Sequence, residues 1–318
     1  MRFEQTIIHI APRGYENELA HELATGSART AGSSPADVLE QRGRLFVVAA
    51  PSDGTVPPAP VWAQNTWLAP RAYPITSIGD GASRLRAVQR NWWLHSTAHH
   101  RRAQLIQEKL PHVSARPLSF GTPAPGAPLG AWTLWDESLI VASAACTSVF
   151  PDGEVAFIEN KEIPPTRAYL KLWEAFTLLG LMPRRGELCL DLGSCPGGWS
   201  WVLAEAGARV FSVDKAPLAP HIDRHPNINW CAGSAFGLDP RHAGHVDWLF
   251  SDVICYPERL LDMVRRWLEV GSCRNFLCTI KLQGEDDMDV VRAFAAIPGS
   301  QVMHLSANKH ELTWVLLR

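Results

Sequence analysis

The chain has 318 residues, 46% of them hydrophobic, which is enough to fill the cores of two or three domains. Its formal net charge is −2, so no overall field draws it to nucleic acid, and any site for a polyanion must come from local clustering of basic residues. The sequence shows neither a signal peptide nor a run of about eighteen apolar residues, which predicts a soluble, cytoplasmic protein without a membrane segment.

The first 80 residues predict a small α+β module. A strand is expected from Thr6 to Ile10, followed by a helix from Tyr15 to about Ala24. The Gly- and Ser-rich stretch from Ser27 to Pro35 predicts a loop, and the apolar run from Arg44 to Ala49 predicts a second strand.

The second region, residues 81–158, contains a basic stretch from Arg84 to Arg116. This stretch holds seven Arg or Lys residues, four His and one acid, with Trp92 and Trp93 near its middle. Contact with the phosphates and bases of a nucleic acid would use such a pattern, but a solvated amphipathic helix would show it equally well. The candidate nucleic-acid contacts are Arg84, Arg86, Arg90, Arg101, Arg102 and Lys109. Strands are expected around 131–134 and 139–143.

The third region, residues 159–318, alternates apolar strands with helical segments. This alternation predicts an α/β fold, a Rossmann-like doubly wound and mostly parallel sheet, with ligands at the carboxyl ends of its strands. The last two strands are joined only by SANKH and should form an antiparallel hairpin at or near the edge of the sheet.

A glycine-rich turn follows the first strand of this region in the segment CLDLGSCPGGWS. Its glycines Gly193, Gly197 and Gly198 allow the backbone to turn tightly and to approach a ligand at the start of a helix. Asp191 ends that strand, and Asp214 ends the next one, where an acid typically accepts hydrogen bonds from both hydroxyls of a ribose. These residues are also compatible with a second enzyme class, a dinucleotide-dependent dehydrogenase. A phosphate-binding P-loop is unsupported because no GK[ST] follows the turn.

Further charged residues are expected near the same edge of the sheet. Asp252 and Lys281 close two predicted core strands, Lys171 lies on a predicted helix with a small, apolar face, and Glu311 starts the final strand. A charge beside a core strand costs several kcal/mol unless it is paired. Each residue alone is compatible with an ordinary ion pair, but two lysines and two acids at one edge favour a reaction site.

Residues 160–318 resemble the FtsJ-like ribose 2'-O-methyltransferases. The glycine motif of that family is present as DLGSCPGGWS, and its Lys-Asp-Lys-Glu tetrad as Lys171, Asp252, Lys281 and Glu311. The segments WLEVGSCRNFLCTIKL and PRGYENELAHELA are similar to the bacterial large-subunit rRNA cytidine 2'-O-methyltransferase group. The resemblance implies a ferredoxin-like module in residues 1–80, an abbreviated THUMP-like RNA-binding region in 81–158 and a methyltransferase domain in 159–318.

The resemblance also implies S-adenosylmethionine as the cofactor and RNA as the partner. The implied cofactor-binding residues are Asp191, Gly193, Cys195, Pro196, Gly197, Gly198, Trp199, Asp214, Ser234 and Asp252. Ser234 stands where the family usually has an acid that contacts the adenine amino group. Ser234 can still accept a hydrogen bond there, or Asp239 can take the place of the acid.

In the implied reaction, Lys281 acts as the base that accepts the proton of a ribose hydroxyl. A lysine base needs a pKa well below its usual ~10.4, and we expect burial and the positive charge of Lys171 to lower it. Lys171 and Asp252 would be the orienting partners of Lys281, and Glu311 would be a supporting anchor. Two alternatives stay open: 2'-O-methylation of another RNA, such as tRNA or a capped end, and a non-catalytic RNA-binding or ribosome-assembly factor.

Seven cysteines form an odd set without a CxxC pair. This predicts reduced, mostly buried thiols in place of disulfides or a zinc site, and no metal is expected.

Overall fold

The computed structural model describes residues 2–26, 34–284 and 287–318, and within them the chain divides into two compact units. The first unit contains the described residues up to 118 together with 124–156, and the second contains 119–123 and the described residues from 157 onward. The predicted loop from Ser27 to Pro35 lies largely outside the described residues.

The first unit begins with a four-stranded antiparallel sheet. Its elements are β1 (Thr6–Ile10), α1 (Glu16–Thr25), β2 (Val38–Arg42), β3 (Leu45–Ala49) and β4 (Asn65–Trp67), in the strand order β2-β3-β1-β4. The predicted strand β1, helix α1 and strand β3 are confirmed. Strand β2 was not predicted because it is an edge strand whose residues are exposed or half-buried, so its sequence lacks the apolar alternation of a packed strand.

A second four-stranded sheet completes the first unit. Its elements are β5 (Arg71–Pro74), α2 (Ile78–Val88), β6 (Trp92–Leu94), α3 (His100–Gln107), β7 (Gly130–Asp136) and β8 (Leu139–Ser143), in the strand order β5-β8-β7-β6. The basic stretch is therefore two helices separated by a strand, not one amphipathic helix. The border expected between the two N-terminal modules, at residue 80, lies inside α2. The assignments of these modules as ferredoxin-like and THUMP-like stay predictions.

The second unit alternates helices and strands as the sequence predicts. Its elements are α4 (Tyr169–Leu179), β9 (Leu188–Leu192), α5 (Gly198–Glu205), β10 (Arg209–Asp214), α6 (Pro220–Asp223), β11 (Ile228–Ala232), α7 (Pro240–Ala243), β12 (Val246–Ser251), α8 (Pro257–Val270), β13 (Cys273–Lys281), α9 (Asp287–Ala295), β14 (Ser300–Met303) and β15 (Glu311–Leu316).

These strands form one seven-stranded sheet in the order β11-β10-β9-β12-β13-β15-β14. The first five are parallel, and β15 runs antiparallel to both β13 and β14, which confirms the Rossmann-like fold and the final hairpin. Strand β9, the first of the unit, lies inside the sheet, and the strand order reverses beside it. Ligands bind in the crevice at such a switch point, at the carboxyl ends of the strands.

All seven cysteines are free thiols, but only Cys189, Cys273 and Cys278 are buried. Burial raises the pKa of Cys273 to about 12, so this thiol stays protonated. The expectation of mostly buried thiols is wrong for the other four, of which Cys195 and Cys231 are exposed.

The two neighbouring tryptophans of the basic stretch have different environments. The side chain of Trp92 is fully buried in the core of the first unit, and its indole N–H donates to the carbonyl oxygen of Leu85 at 2.9 Å. Trp93 is half-buried and lines a cleft of about 460 Å³. Base stacking is therefore excluded for Trp92 in this fold and stays a prediction for Trp93.

We expect Trp92→Ala to lower the free energy of unfolding of the first unit by about 3–5 kcal/mol, because the change leaves a large cavity in a closed core. The matched change Trp93→Ala should cost clearly less. Urea denaturation followed by circular dichroism would measure both. Equal losses for the two variants would contradict the assignment of Trp92 to the core.

Candidate active site

A cleft opens where the parallel strands β9, β10, β12 and β13 end. It has a volume of about 920 Å³ and is lined by residues of α4, of these strand ends and of the loop before β15. A smaller recess of about 180 Å³ shares Gly193, Asp214, Val253 and Ile254 with it. The position at the carboxyl ends of the strands makes this cleft the candidate active site.

Four charged side chains form a closed ring of alternating sign in the wall of the cleft. Lys171 Nζ lies 3.0 Å from Asp252 Oδ1 and 2.5 Å from Glu311 Oε1. Lys281 Nζ lies 2.5 Å from Asp252 Oδ1 and 2.5 Å from Glu311 Oε2. The structure thus brings the four residues of the expected tetrad together, and each lysine contacts both carboxylates.

Each member of the ring comes from a different part of the fold. Lys171 lies in the first turn of α4, Asp252 directly follows β12, Lys281 ends β13 and Glu311 begins β15. Lys281 and Glu311 face each other in the antiparallel pair of β13 and β15. All four side chains are less than one-fifth exposed. Burial of so many charges is tolerated only because each has two partners of opposite sign.

The pKa of Lys281 is raised, which corrects the expectation that it is lowered. Burial of the ammonium does lower its pKa, but contact with Asp252 and Glu311 raises it by more. For Glu311, burial alone would raise the pKa, while the two lysines lower it overall. In the isolated ring, the Lys281 ammonium and the Glu311 carboxylate therefore each stabilise the charged form of the other.

Asp191 is buried beneath the glycine turn. One of its carboxylate oxygens accepts a hydrogen bond from Ser200 Oγ at 2.5 Å, and Oδ1 is buried without a hydrogen-bond partner among the described residues. Burial raises the pKa of Asp191 to about 7. An ionised carboxylate oxygen that is buried without a partner is costly, so burial favours the protonated acid, and Asp191 lines neither the cleft nor the recess.

The turn after β9 adopts a backbone conformation that requires glycine at residue 193. Gly193 has φ +85°, and a Cβ there would lie 2.8 Å from the Cα of Val253, beside the charged ring. Asp214 lines both the cleft and the recess, and it accepts backbone hydrogen bonds from Cys195 and Ala216. Each carboxylate oxygen has two lone pairs, so Asp214 can still accept from ribose hydroxyls.

The recess beside Asp214 contains Ser234, whose hydroxyl accepts a hydrogen bond from the backbone N–H of Phe236 at 3.3 Å. Asp239 does not line this recess. Asp239 is the N-cap residue of α7, and its carboxylate pairs with the guanidinium of Arg241 at 2.6 Å. Asp239 is therefore engaged elsewhere, and Ser234 is the remaining candidate for contact with an adenine.

Four residues expected at the cofactor, Asp191, Gly197, Gly198 and Trp199, line neither the cleft nor the recess. Trp199 is buried and donates its indole N–H to the carbonyl oxygen of Ala168 at 2.9 Å, so it packs α5 against the start of α4. Gly197 and Gly198 allow close packing of the turn against neighbouring segments. By contrast, Cys195 and Pro196 line the cleft together with Gly193.

The sequence analysis missed Glu174, which lies three residues after Lys171 on α4 and is buried. Its carboxylate accepts hydrogen bonds from the backbone N–H groups of Ser306, at 2.8 Å, and Ala307, at 3.1 Å. The helix therefore does not present the purely apolar face that was expected. The signal available in the sequence was an acid one helical turn from the lysine.

The six basic residues expected to contact RNA lie in the first unit, away from the ring in sequence. Five are exposed: Arg84, Arg86, Arg90, Arg101 and Lys109, whereas Arg102 is half-buried. Two of them already have partners. Arg84 pairs with Asp80 at 3.2 Å, and Arg86 donates to the carbonyl oxygen of Lys109 at 3.0 Å. The exposed positive charge is thus spread over α2, α3 and the residues after them.

Within the described residues, no helix is both long and apolar enough to span a membrane, and no group of three or more His, Cys, Asp or Glu residues could hold a metal ion.

Comparison with known proteins finds a family model that matches part of the second unit. Residues 165–293 match the family model described as "FtsJ-like methyltransferase". Among curated proteins, "Ribosomal RNA large subunit methyltransferase M" of Alkalilimnicola ehrlichii is 29% identical over 85% of this chain and 80% of that protein. The protein of the same name from Halorhodospira halophila is 36% identical over 40% of this chain and 38% of that protein.

We expect Gly193→Ala to weaken S-adenosylmethionine binding by about 5- to 150-fold, because a left-handed conformation of a non-glycine residue and the contact with Val253 together cost about 1–3 kcal/mol. Isothermal titration calorimetry would measure the affinity. Gly237→Ala is a matched control, since Gly237 has no positive φ and a Cβ there meets its nearest atom at 3.4 Å. An unchanged affinity of Gly193→Ala would contradict the placement of the cofactor.

The raised pKa of Asp191 predicts a pH-dependent stability. The folded protein holds the proton up to about pH 7, whereas the unfolded chain loses it near the ordinary ~3.9. Stability from this group therefore falls as pH rises between those two values. Asp191→Asn removes the effect, so the variant should gain stability relative to the wild type between pH 5 and pH 8. Urea denaturation at both pH values would test this, and a constant difference would refute it.

Proposed function

The second unit contains a methyltransferase domain of the FtsJ-like family, and from this premise we propose that the chain methylates the 2'-hydroxyl of a ribose in large-subunit rRNA. The observation that carries the proposal is the closed ring of Lys171, Asp252, Lys281 and Glu311 in the wall of a cleft that also contains the glycine turn. The rRNA substrate follows from the names of the relatives, one of which aligns over most of its length.

The enzyme depends on S-adenosylmethionine, and the residues of the cleft fit this cofactor. Asp214 can accept from its ribose, and Ser234 in the recess can accept from its adenine. Gly193 lines both the cleft and the recess, and a Cβ there would collide with Val253 next to the ring. When bound, S-adenosylmethionine supplies an activated methyl group and a positive charge.

The charged ring would align the ribose hydroxyl and hold its proton. With both lysines protonated and both acids ionised, the ring is neutral, and loss of one proton from Lys281 leaves it with a charge of −1. The positive charge of a bound cofactor would favour loss of the proton from Lys281, because a nearby positive charge disfavours the protonated form of a lysine. Lys281 would then accept the hydroxyl proton, while Lys171 stays charged between Asp252 and Glu311 and stabilises the developing oxyanion.

The first unit would contribute to RNA affinity. Its exposed arginines and lysine on and near α2 and α3 could contact phosphates, and the half-buried Trp93 could contact a base. The chain itself carries a net charge of −2, so such contacts must be local. A protein acting on rRNA would work in the cytoplasm.

The proposal predicts how Lys281 variants behave. Purified protein with S-adenosylmethionine should add 2'-O-methyl groups to unmodified large-subunit rRNA, detected by mass spectrometry of RNA fragments. Lys281→Ala should lower the rate by about 10²–10⁴-fold, the usual contribution of a positioned base. The raised pKa of Lys281 further predicts that the wild-type rate rises with pH from neutrality upward.

The variant Lys281→Arg distinguishes a base from a fixed positive charge. A guanidinium keeps its proton at any working pH, so this variant should be nearly as slow as Lys281→Ala. Binding of S-adenosylmethionine should stay within a few-fold of the wild type in both variants, which serves as the control for folding. A rate of Lys281→Arg close to the wild-type rate would show that Lys281 acts only through its charge.

A further inference from the structure

The loop between β14 and β15 forms one wall of the reaction cleft. Four consecutive residues of this loop line the cleft: Ser306, Ala307, Asn308 and Lys309. The next strand begins at Glu311, a member of the charged ring, whose backbone N–H donates to the carbonyl oxygen of Lys309 at 2.8 Å. The loop is therefore continuous with the catalytic machinery.

Glu174 attaches this loop to α4. Both of its carboxylate oxygens accept hydrogen bonds from consecutive backbone N–H groups, those of Ser306 and Ala307. The side chain is only 3% exposed, so its charge is tolerated because these donors compensate it. Loss of the carboxylate would leave two backbone donors without their acceptor and would free the loop from the helix.

Lys309 differs from the other cations of the cleft. Lys171 and Lys281 belong to the ring, and Arg167 pairs with Glu159 at 2.8 Å. Lys309 is exposed, and the described part of the chain offers its ammonium no carboxylate within salt-bridge distance. Of the four cations that line the cleft, it is thus the one without a carboxylate partner among the described residues.

We propose that Lys309 contacts an RNA phosphate next to the target ribose, and that Glu174 is a positioning residue that holds Lys309 there. This inference rests on the proposed function, because it takes RNA as the substrate. The 2'-hydroxyl is on the carbon next to the one that bears the 3'-phosphate. A ribose whose 2'-hydroxyl reaches Lys281 therefore brings a phosphate into the same cleft.

The chemistry of the site favours a phosphate as the ligand. The ammonium of a lysine is a compact point charge that suits a phosphate oxygen, and it needs no planar partner. Phosphate contacts fix the register of a nucleic acid without reading its sequence, which is what the alignment of one ribose hydroxyl requires. A loop held at its backbone keeps such a contact in place at low cost in conformational entropy.

The test is the salt dependence of the KM for rRNA in the methyl-transfer reaction of the full chain. Lys309→Ala should raise the KM several-fold and reduce the slope of log KM against log salt concentration by about 1, because one fewer counterion is released. Affinity for S-adenosylmethionine should stay the same. The matched control is Arg274→Ala: Arg274 is exposed, and it lies at the opposite end of β13, about 23 Å from Lys281. This variant should leave KM and slope unchanged.

Glu174→Gln tests the positioning role. A glutamine offers one acceptor oxygen and turns an amide N–H₂ toward the second backbone donor, so the loop should loosen and the KM and salt slope should change in the direction seen for Lys309→Ala. If Glu174 acts through Lys309, the double variant should have the KM of Lys309→Ala alone. A purely structural role would instead lower the fraction of folded protein without changing the salt slope.

The outcomes separate this inference from the proposed function. If the wild type methylates rRNA but Lys309→Ala retains both KM and salt slope, the phosphate contact is refuted and the function stands. If the increases in KM caused by the two single changes add up in the double variant, Glu174 does not act through Lys309. If the wild type does not methylate rRNA at all, the proposed function itself fails.

Discussion

The contact of two lysines with two shared carboxylates is the interaction on which the active site depends. Because Lys171, Asp252, Lys281 and Glu311 form a closed ring, each charge is neutralised from two sides, and four separate elements of the fold are tied together. Truncation of one member of a buried ion pair costs about 3–5 kcal/mol, since a charge is left without its partner. The geometry of the ring and the stability of the strand ends are therefore coupled.

Much of this arrangement could be predicted from the sequence, because it follows from strand periodicity. The apolar runs locate β12 and β13, and parallel strands end at the same edge, so Asp252 and Lys281 must be neighbours. The short connection before the last strand predicts an antiparallel hairpin, which carries Glu311 to the same edge. The least certain of the four from periodicity alone was Lys171, because a helical residue can face in several directions, and it was selected by the small, apolar face expected around it.

The features of the site that the sequence did not predict depend on contacts between residues that are distant in the chain or on the direction of a side chain. The sign of the pKa shift of Lys281 depends on how many carboxylates touch its ammonium, and a sequence gives no such distances. Glu174 was missed because its partners are backbone N–H groups of residues 306 and 307, far away in the chain. Trp199 lies directly after the glycine motif, and only packing shows that its side chain turns into the core.

The charges that line the cleft divide into those that cancel and those that remain. The ring is neutral when fully charged, and Arg167 is compensated by Glu159. Among the described lining residues, this leaves one carboxylate, Asp214 beside the glycine turn, and one ammonium, Lys309 on the loop before β15. A cationic methyl donor and a polyanionic RNA need opposite fields within one cleft. The neutral ring attracts neither ligand strongly. The attraction therefore comes from the two residual charges, which have opposite signs and lie on different elements of the fold.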